Sequence, residues 1–340
     1  MGGSRIDLEH LTDVLRCRVC GSAYAISDER LDCTSCDRGF LVVDGIPVLL
    51  DESTVGTALD RIDDYGAFMG IDESVIRQTG SEWKKIIGRL GYTPEQAFEI
   101  GSGSGALTLG LLEEGVVGRL TSTDVSLKFL RSLTARISEY SIPVSLVACD
   151  ANEPHFRPKA FDLVVGRSVL HHLLDYEQTL AHCRAMLRSG GAAVFCEPVL
   201  EGQTITTLFM ALMLRCDDMA GGAYLSETDR RHITGLIRNQ TKSTFLRDRE
   251  SLSKVEDKYI FEIEKMKQVG LDVGFADVEF FNDTRGFSYW AYISHACRVV
   301  GVAPETVRPF EWIEEAFSES YGLMFPEQLV TPIGYFVFRR

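Results

Sequence analysis

Two groups of residues in this chain are spaced to do chemistry. Cys17-x-x-Cys20 and Cys33-x-x-Cys36 form two knuckles separated by twelve residues. Each knuckle lets two thiolates meet one ion from a tight turn, and two such turns complete a tetrahedron. The pattern predicts a structural zinc ion, with no open position left for catalysis. The second group is Glu99-Ile100-Gly101-Ser102-Gly103-Ser104-Gly105, set between a short apolar run and the helix-like residues 106–112. A strand that ends in glycines and turns into a helix brings backbone N–H groups close to a bound ligand. Asp124 closes the next predicted strand, nineteen positions past Gly105. Nucleotide-binding βαβ units place a ribose-binding carboxylate at about that distance.

The elements that must position these residues follow from hydrophobic periodicity. Residues 51–65 are polar and acidic and read as a linker. Helices are expected at 60–69 and 73–90. A strand–helix alternation follows, the mark of a parallel sheet covered on both faces. Its strands are expected at 96–100, 119–124, 144–149, 161–166 and 192–197, its helices at 105–114, 126–140 and 176–187. Gly190-Gly191 should break the last helix before the fifth strand. After Glu197 the alternation stops for some sixty residues containing helical stretches at 208–214 and 227–239. It resumes with a helix at 256–269 and strands at 276–282 and 334–338. The intervening residues 283–333 hold too many aromatics for a solvent loop.

The glycine loop with its preceding acid resembles motif I of the class I S-adenosylmethionine-dependent methyltransferases. That resemblance covers about residues 60–340. It implies a Rossmann-like α/β fold with a seven-stranded sheet whose last strand is antiparallel. The glycines Gly101, Gly103 and Gly105, with Ser102, would bring backbone to the methionine and ribose parts of the cofactor. Glu99 would orient the cofactor's amino group, and Asp124, followed by Val125, would accept from the ribose hydroxyls. Cys149-Asp150-Ala151 resembles the segment whose aspartate accepts from the adenine amino group and whose next N–H meets the ring. Residues 161–173 resemble motif IV, which sets Arg167 beside the methionine end. His171, His172 and Glu197 follow strand ends and are the candidates for removing a proton from an acceptor, the histidines with an unperturbed pKa near 6.5. The family's Asn/Asp-Pro-Pro-Tyr/Phe tetrapeptide is replaced by Arg167-Ser168-Val169-Leu170, which argues against a nucleobase or amide nitrogen acceptor. In this fold both insertions, 199–255 and 283–333, would emerge at the carboxyl edge of the sheet, where open α/β sheets bind ligands. They are therefore expected to form a helical cap.

Residues 12–52 resemble the zinc ribbon of the small activator subunit that partners tRNA and translation-factor methyltransferases. Similar ribbons occur ahead of bacterial methyltransferase domains, including ribosomal RNA guanine methyltransferases. The expected organisation is thus a ribbon at 1–55 and a methyltransferase domain at 60–340. Up to residue 60 the chain carries five basic residues against eleven acidic ones, which would repel phosphates. The whole chain has a formal net charge of −14 and an isoelectric point near 5.0, without the footprint of a nucleic-acid binder. No run approaches the ~18 apolar residues of a membrane span. Four cysteines are clustered at metal spacing and five scattered singly, the pattern of a reducing cytoplasm. The expectation is a cytoplasmic methyltransferase that uses S-adenosylmethionine, carries structural zinc and acts on a small secondary-metabolite-like acceptor. A homodimer stays open. So do two alternatives: an RNA methyltransferase that uses the ribbon for recognition, and a non-catalytic binding protein for the same cofactor.

Overall fold

The computed structural model describes residues 8–50, 71–245, 248–282, 287–324 and 330–340. The linker at 51–65 and the helix expected at 60–69 lie outside the described residues. The chain divides into two compact units, one of residues 1–195, 269–279 and 337–340 and the other of 196–268 and 280–336. No helix among the described residues is long and apolar enough to cross a membrane.

The first unit opens with α1 (Leu8–Val14), which the hydrophobic pattern did not announce. A meander follows of β1 (Tyr24–Ile26), β2 (Arg30–Cys33), β3 (Gly39–Val43) and β4 (Ile46–Leu49), each antiparallel to the next. Asp44 and Gly45 turn β3 into β4 with φ of 54° and 79°, the left-handed pair that a tight hairpin needs. After α2 (Glu73–Gly88) the alternation runs β5 (Gln96–Ile100), α3 (Ala106–Glu114), β6 (Arg119–Asp124), α4 (Leu127–Ile137), β7 (Val144–Cys149), β8 (Phe161–Arg167), a 3₁₀ turn (Leu170–His172), α5 (Tyr176–Met186) and β9 (Leu187–Pro198). Helices α2 and α3 approach so closely that a Cβ on Gly80 would stand 2.7 Å from the carbonyl of Gly110. The side chain of Asp72 caps α2 by accepting from the N–H of Ser74 at 2.7 Å.

Beyond β9 come α6 (Leu200–Met219), α7 (Glu227–Phe245), α8 (Arg249–Ser253), α9 (Ile263–Val273), β10 (Asp277–Phe281), α10 (Tyr289–Val299), α11 (Pro304–Val307), α12 (Trp312–Met324) and β11 (Ile333–Arg339). The eleven strands of the described residues form one sheet in the order β1-β2-β3-β4-β7-β6-β5-β8-β9-β11-β10. Counted from β5, the last seven lie 3-2-1-4-5-7-6, a Rossmann-like α/β arrangement. Arg340 exchanges backbone bonds with Gly190 and Gly191, and Ala276 donates to Arg339. The end of β11 thus meets the starts of β9 and β10, so the last strand is antiparallel, as expected. Central β7 is buried at every residue, as a strand covered on both faces must be. The four N-terminal strands continue the same sheet, because β4 pairs parallel with β7 at Val48↔Ala148 and Leu49↔Cys149.

Two expectations about local structure are corrected. The fifth strand begins at Leu187 rather than 192 and runs through the glycines. Gly190 takes φ 79° while Gly191 accepts from Arg340, so the pair serves a ladder with the C-terminus rather than a break. The helix expected at 256–269 spans 263–273 instead. Residues before it are committed elsewhere: Phe261 donates to Pro198 and accepts from Leu200, and the Lys258 ammonium donates to the Val255 carbonyl at 2.8 Å.

The second unit is the product of both insertions. Its core gathers Phe209, Met210 and Met213 of α6 with Ile293, Phe310 and Ile313 from the later segment. Phe209 stacks edge-on against Tyr289 at 5.5 Å and Phe317 at 5.0 Å. Many of the aromatics noted in 283–333 are therefore core, while Trp312 is exposed and the side chains at 321 and 325 lie outside the described residues. Buried Asp217 locks the α6–α7 turn by accepting from the N–H groups of Tyr224 and Leu225 and from Arg230.

Candidate functional site

Four adjacent strands, β7-β6-β5-β8, end at the same edge of the sheet and place the predicted residues there. The register sets Ile100 opposite Thr123 on one side and opposite Gly166 on the other. Asp124 pairs with Ala148, two positions before Asp150. The glycine loop, Asp124, Asp150 and Arg167 thus converge on one edge, where open α/β sheets bind ligands.

The three loop glycines do different work. All take positive φ: 67° at Gly101, 50° at Gly103 and 94° at Gly105. A Cβ on Gly101 would meet Val169 at 2.5 Å, and one on Gly105 would meet Leu133 at 2.0 Å. Both positions are closed by packing. A Cβ on Gly103 would meet nothing within 4 Å among the described residues, so the backbone there is open on that side. The N–H of Ser102 donates to Thr123 at 2.9 Å, tying the loop to β6, while its buried hydroxyl has no partner among the described residues.

Asp124 is half-buried and accepts from the N–H groups of Gly103 and Ser126, each at 2.8 Å. Burial raises its pKa, and those N–H groups pull it back. A carboxylate has about four lone-pair sites, so it retains capacity for two further donors. Val125, just beyond, is 37% exposed.

Glu99 is 1% exposed at the end of β5. One carboxylate oxygen accepts from the Thr108 hydroxyl at 2.5 Å and the Ser122 hydroxyl at 2.7 Å; the other is buried without a partner among the described residues. Burial pushes its pKa from 4.5 to about 7, against the lowering effect of the two hydroxyls. Thr108 and Ser122 escaped sequence reading because their relation to Glu99 depends on helix and strand register. A hydroxyl at each position was the only available signal.

Asp150 follows β7 and turns its carboxylate onto its own loop, accepting from the N–H and the side-chain amide of Asn152 at 2.8 and 3.2 Å. That is the geometry of a turn-forming aspartate; Ala151 lies within the same turn. Arg167 ends β8 and is exposed, and Ser168 beyond it takes φ 54°, an uncommon left-handed conformation for a residue with a side chain. His171 is buried and His172 half-buried in the 3₁₀ turn, their rings 4.0 Å apart. Glu197 is fully buried near the end of β9 and belongs to the second unit.

The cysteine knuckles converge as well. All four sulfurs lie within 4.8 Å of one another. Their sulfurs stand 3.7 Å apart for Cys17–Cys36, 3.3 Å for Cys20–Cys33 and 3.6 Å for Cys20–Cys36. A tetrahedral ion with Zn–S bonds of about 2.3 Å requires sulfurs about 3.8 Å apart. The set fits zinc, and the Cys20 thiol is lowered to about 6 by hydrogen bonds from Ser22.

Residues 98–195 match the family model described as a methyltransferase domain. This segment is a methyltransferase domain. Its relatives include polyketide synthase ThaQ of Burkholderia thailandensis, 34% identical over 141 residues, or 39% of this chain and 6% of that protein. Fumosorinone synthetase of Cordyceps fumosorosea is 33% identical over 116 residues, or 32% of this chain and 3% of that protein. The matches therefore span only a small part of these relatives. Among solved structures, the CurJ carbon methyltransferase is 16% identical and aligns over 77% of this chain and 53% of its own, with a TM-score of 0.44. The methyltransferase domain contains the glycine loop, Asp124, Asp150, Arg167 and both histidines.

Proposed function

We propose that the protein transfers a methyl group from S-adenosylmethionine to a small, secondary-metabolite-like acceptor in the cytoplasm. The observation that carries this reading is the open backbone at Gly103 beside the Asp124 carboxylate, at the mouth of a methyltransferase domain. When bound, the cofactor supplies a methyl on a sulfonium, already joined to a good leaving group. The protein's task is then orientation, exclusion of water and, for some acceptors, removal of a proton. Asp124 would hold the ribose, Glu99 would face the cofactor's ammonium group, and the Asp150-Ala151 turn would lie on the adenine side. Ser102, Val125 and Arg167 would line the same cofactor. His171, His172 and Glu197 are the candidates for the base.

The acceptor class is supported by two observations. The name of one relative, polyketide synthase ThaQ, points to secondary metabolism, and a net charge of −14 opposes an RNA substrate. We assign acceptor binding to the second unit, whose core is rich in Met and aromatic side chains, and structural zinc to Cys17, Cys20, Cys33 and Cys36. Calorimetry with S-adenosylhomocysteine tests the cofactor, and filter binding to tRNA and ribosomal RNA across a salt series tests the acceptor class. Micromolar RNA binding with a steep salt slope would replace the small-molecule reading by the RNA one. Hydrogen exchange should slow in 196–268 and 280–336 when acceptor is added, and unchanged exchange there would remove the second unit from acceptor binding.

A further inference from the structure

The chain from Asp150 to Arg157 is held at both ends. At its start, the Asp150 side chain and carbonyl accept from Asn152 and Glu153, and the Thr179 hydroxyl donates to the Asn152 side chain at 3.0 Å. At its far end it is clamped to the segment that leads into the first cysteine knuckle. Leu15 and Phe156 form an antiparallel bridge, Arg16 donates to the His155 carbonyl at 2.7 Å, and Arg157 donates to that of Val14 at 2.8 Å. Arg18, inside the knuckle, pairs with Glu153.

Side chains carry the connection into the ribbon strands. The buried Tyr24 hydroxyl lies 3.0 Å from Nδ1 of buried His155, and Tyr24 stands opposite Cys33 in the β1–β2 ladder. Phe40 packs edge-on against His155 at 5.2 Å and against Tyr24 at 6.1 Å. On the other side Phe156 stands 4.7 Å from Phe98, the neighbour of Glu99.

We propose that Tyr24 and His155 are positioning residues that couple zinc at the four cysteines to the cofactor, through the Asp150–Arg157 loop. This rests on the zinc and cofactor assignments made above. Groups that orient metal ligands shape the site as much as the ligands themselves, and here the orienting pair bridges the ribbon and the loop after β7. The ion organises the knuckle, the knuckle organises residues 14–18, and these fix residues 153–157. Such coupling is reciprocal: whatever factor zinc adds to cofactor affinity, the cofactor adds to zinc affinity.

The test uses the full-length zinc protein and reads metal release rather than methylation. Zinc transfer to a chelating dye is followed with and without saturating S-adenosylhomocysteine. The wild type should lose zinc about 10-fold more slowly with the ligand, within the range usual for coupled sites. Tyr24→Phe should still carry one zinc per chain yet show little ligand effect on release, and should bind S-adenosylhomocysteine several-fold more weakly. A Tyr24→Phe protein as responsive as wild type would overturn the role of the pair. Wild-type release indifferent to ligand, in protein that holds zinc and binds S-adenosylhomocysteine, would overturn the coupling while leaving both site assignments intact. That measurement needs no variant to fold. Protein isolated without zinc, or unable to bind S-adenosylhomocysteine, would remove the underlying assignments and the coupling with them.

Discussion

The backbone N–H of Gly103 donates to Oδ2 of Asp124 at 2.8 Å, joining the glycine loop after β5 to the end of β6. One contact therefore sets both the open point of the loop and the orientation of the carboxylate. Asp124→Ala should lose the paired acceptors for the ribose hydroxyls, and hydrogen bonds to a charged group are worth ~1.5–3 kcal/mol each. Calorimetry with S-adenosylhomocysteine should show at least ~10-fold weaker binding, since 1.4 kcal/mol is a factor of ten. An unchanged affinity in a folded variant would place the ribose elsewhere.

Substitutions at Gly103 and Gly105 should separate binding from stability. Gly103→Val adds a side chain at a position where Cβ meets no protein atom within 4 Å, so its folding cost is mainly the ~1–2 kcal/mol of a left-handed residue. Its loss of cofactor affinity should be larger than that of Asp124→Ala. Gly105→Ala drives a methyl into buried Leu133 and should lower stability further, by roughly another 1–3 kcal/mol of overpacking. Paired thermal melts and calorimetry distinguish the two; equal effects on both readouts would contradict the division of labour.

Glu99 should make stability fall with pH. Its folded pKa, raised by burial to about 7 from 4.5, means that the native state binds more protons than the unfolded chain across that interval. Stability is then fullest below about pH 4.5 with respect to this group and declines as pH rises through 7. Glu99→Gln keeps an oxygen to accept from Thr108 and Ser122 and removes the titration. Urea unfolding between pH 5 and 8 should show a flatter profile for the variant and a gain of roughly 1–3 kcal/mol over wild type at pH 8. Parallel profiles would show that Glu99 is not the titrating group.

Protein purified without added metal should contain about one zinc ion per chain by elemental analysis. Cys17→Ser should reduce that content sharply and lower thermal stability, because a structural metal contributes folding energy directly. Unchanged zinc in the variant would rule out the cysteine set as its site.

Sequence alone settled the strand–helix alternation from 96 to 186, because each element there has its own period, cap or glycine stop. Strands at Gln96–Ile100, Arg119–Asp124 and Val144–Cys149 stand at the positions expected of them. The glycine loop and cysteine knuckles were legible for the same reason: their chemistry is written in contiguous residues. What the tertiary structure decided are relations between distant segments. The pairing of β4 with β7 joins residues some hundred positions apart, and no local pattern encodes which strand an edge will choose. The strand that runs through Gly190 and Gly191 depends on a partner at Arg340, so the same glycines read locally as a break. Glu99 was visible as an acid at a strand end, but its raised pKa comes from burial, against the lowering effect of hydroxyls on α3 and β6. Tyr24 and His155 carried no signal, since 131 residues separate them and only folding brings the hydroxyl to the imidazole.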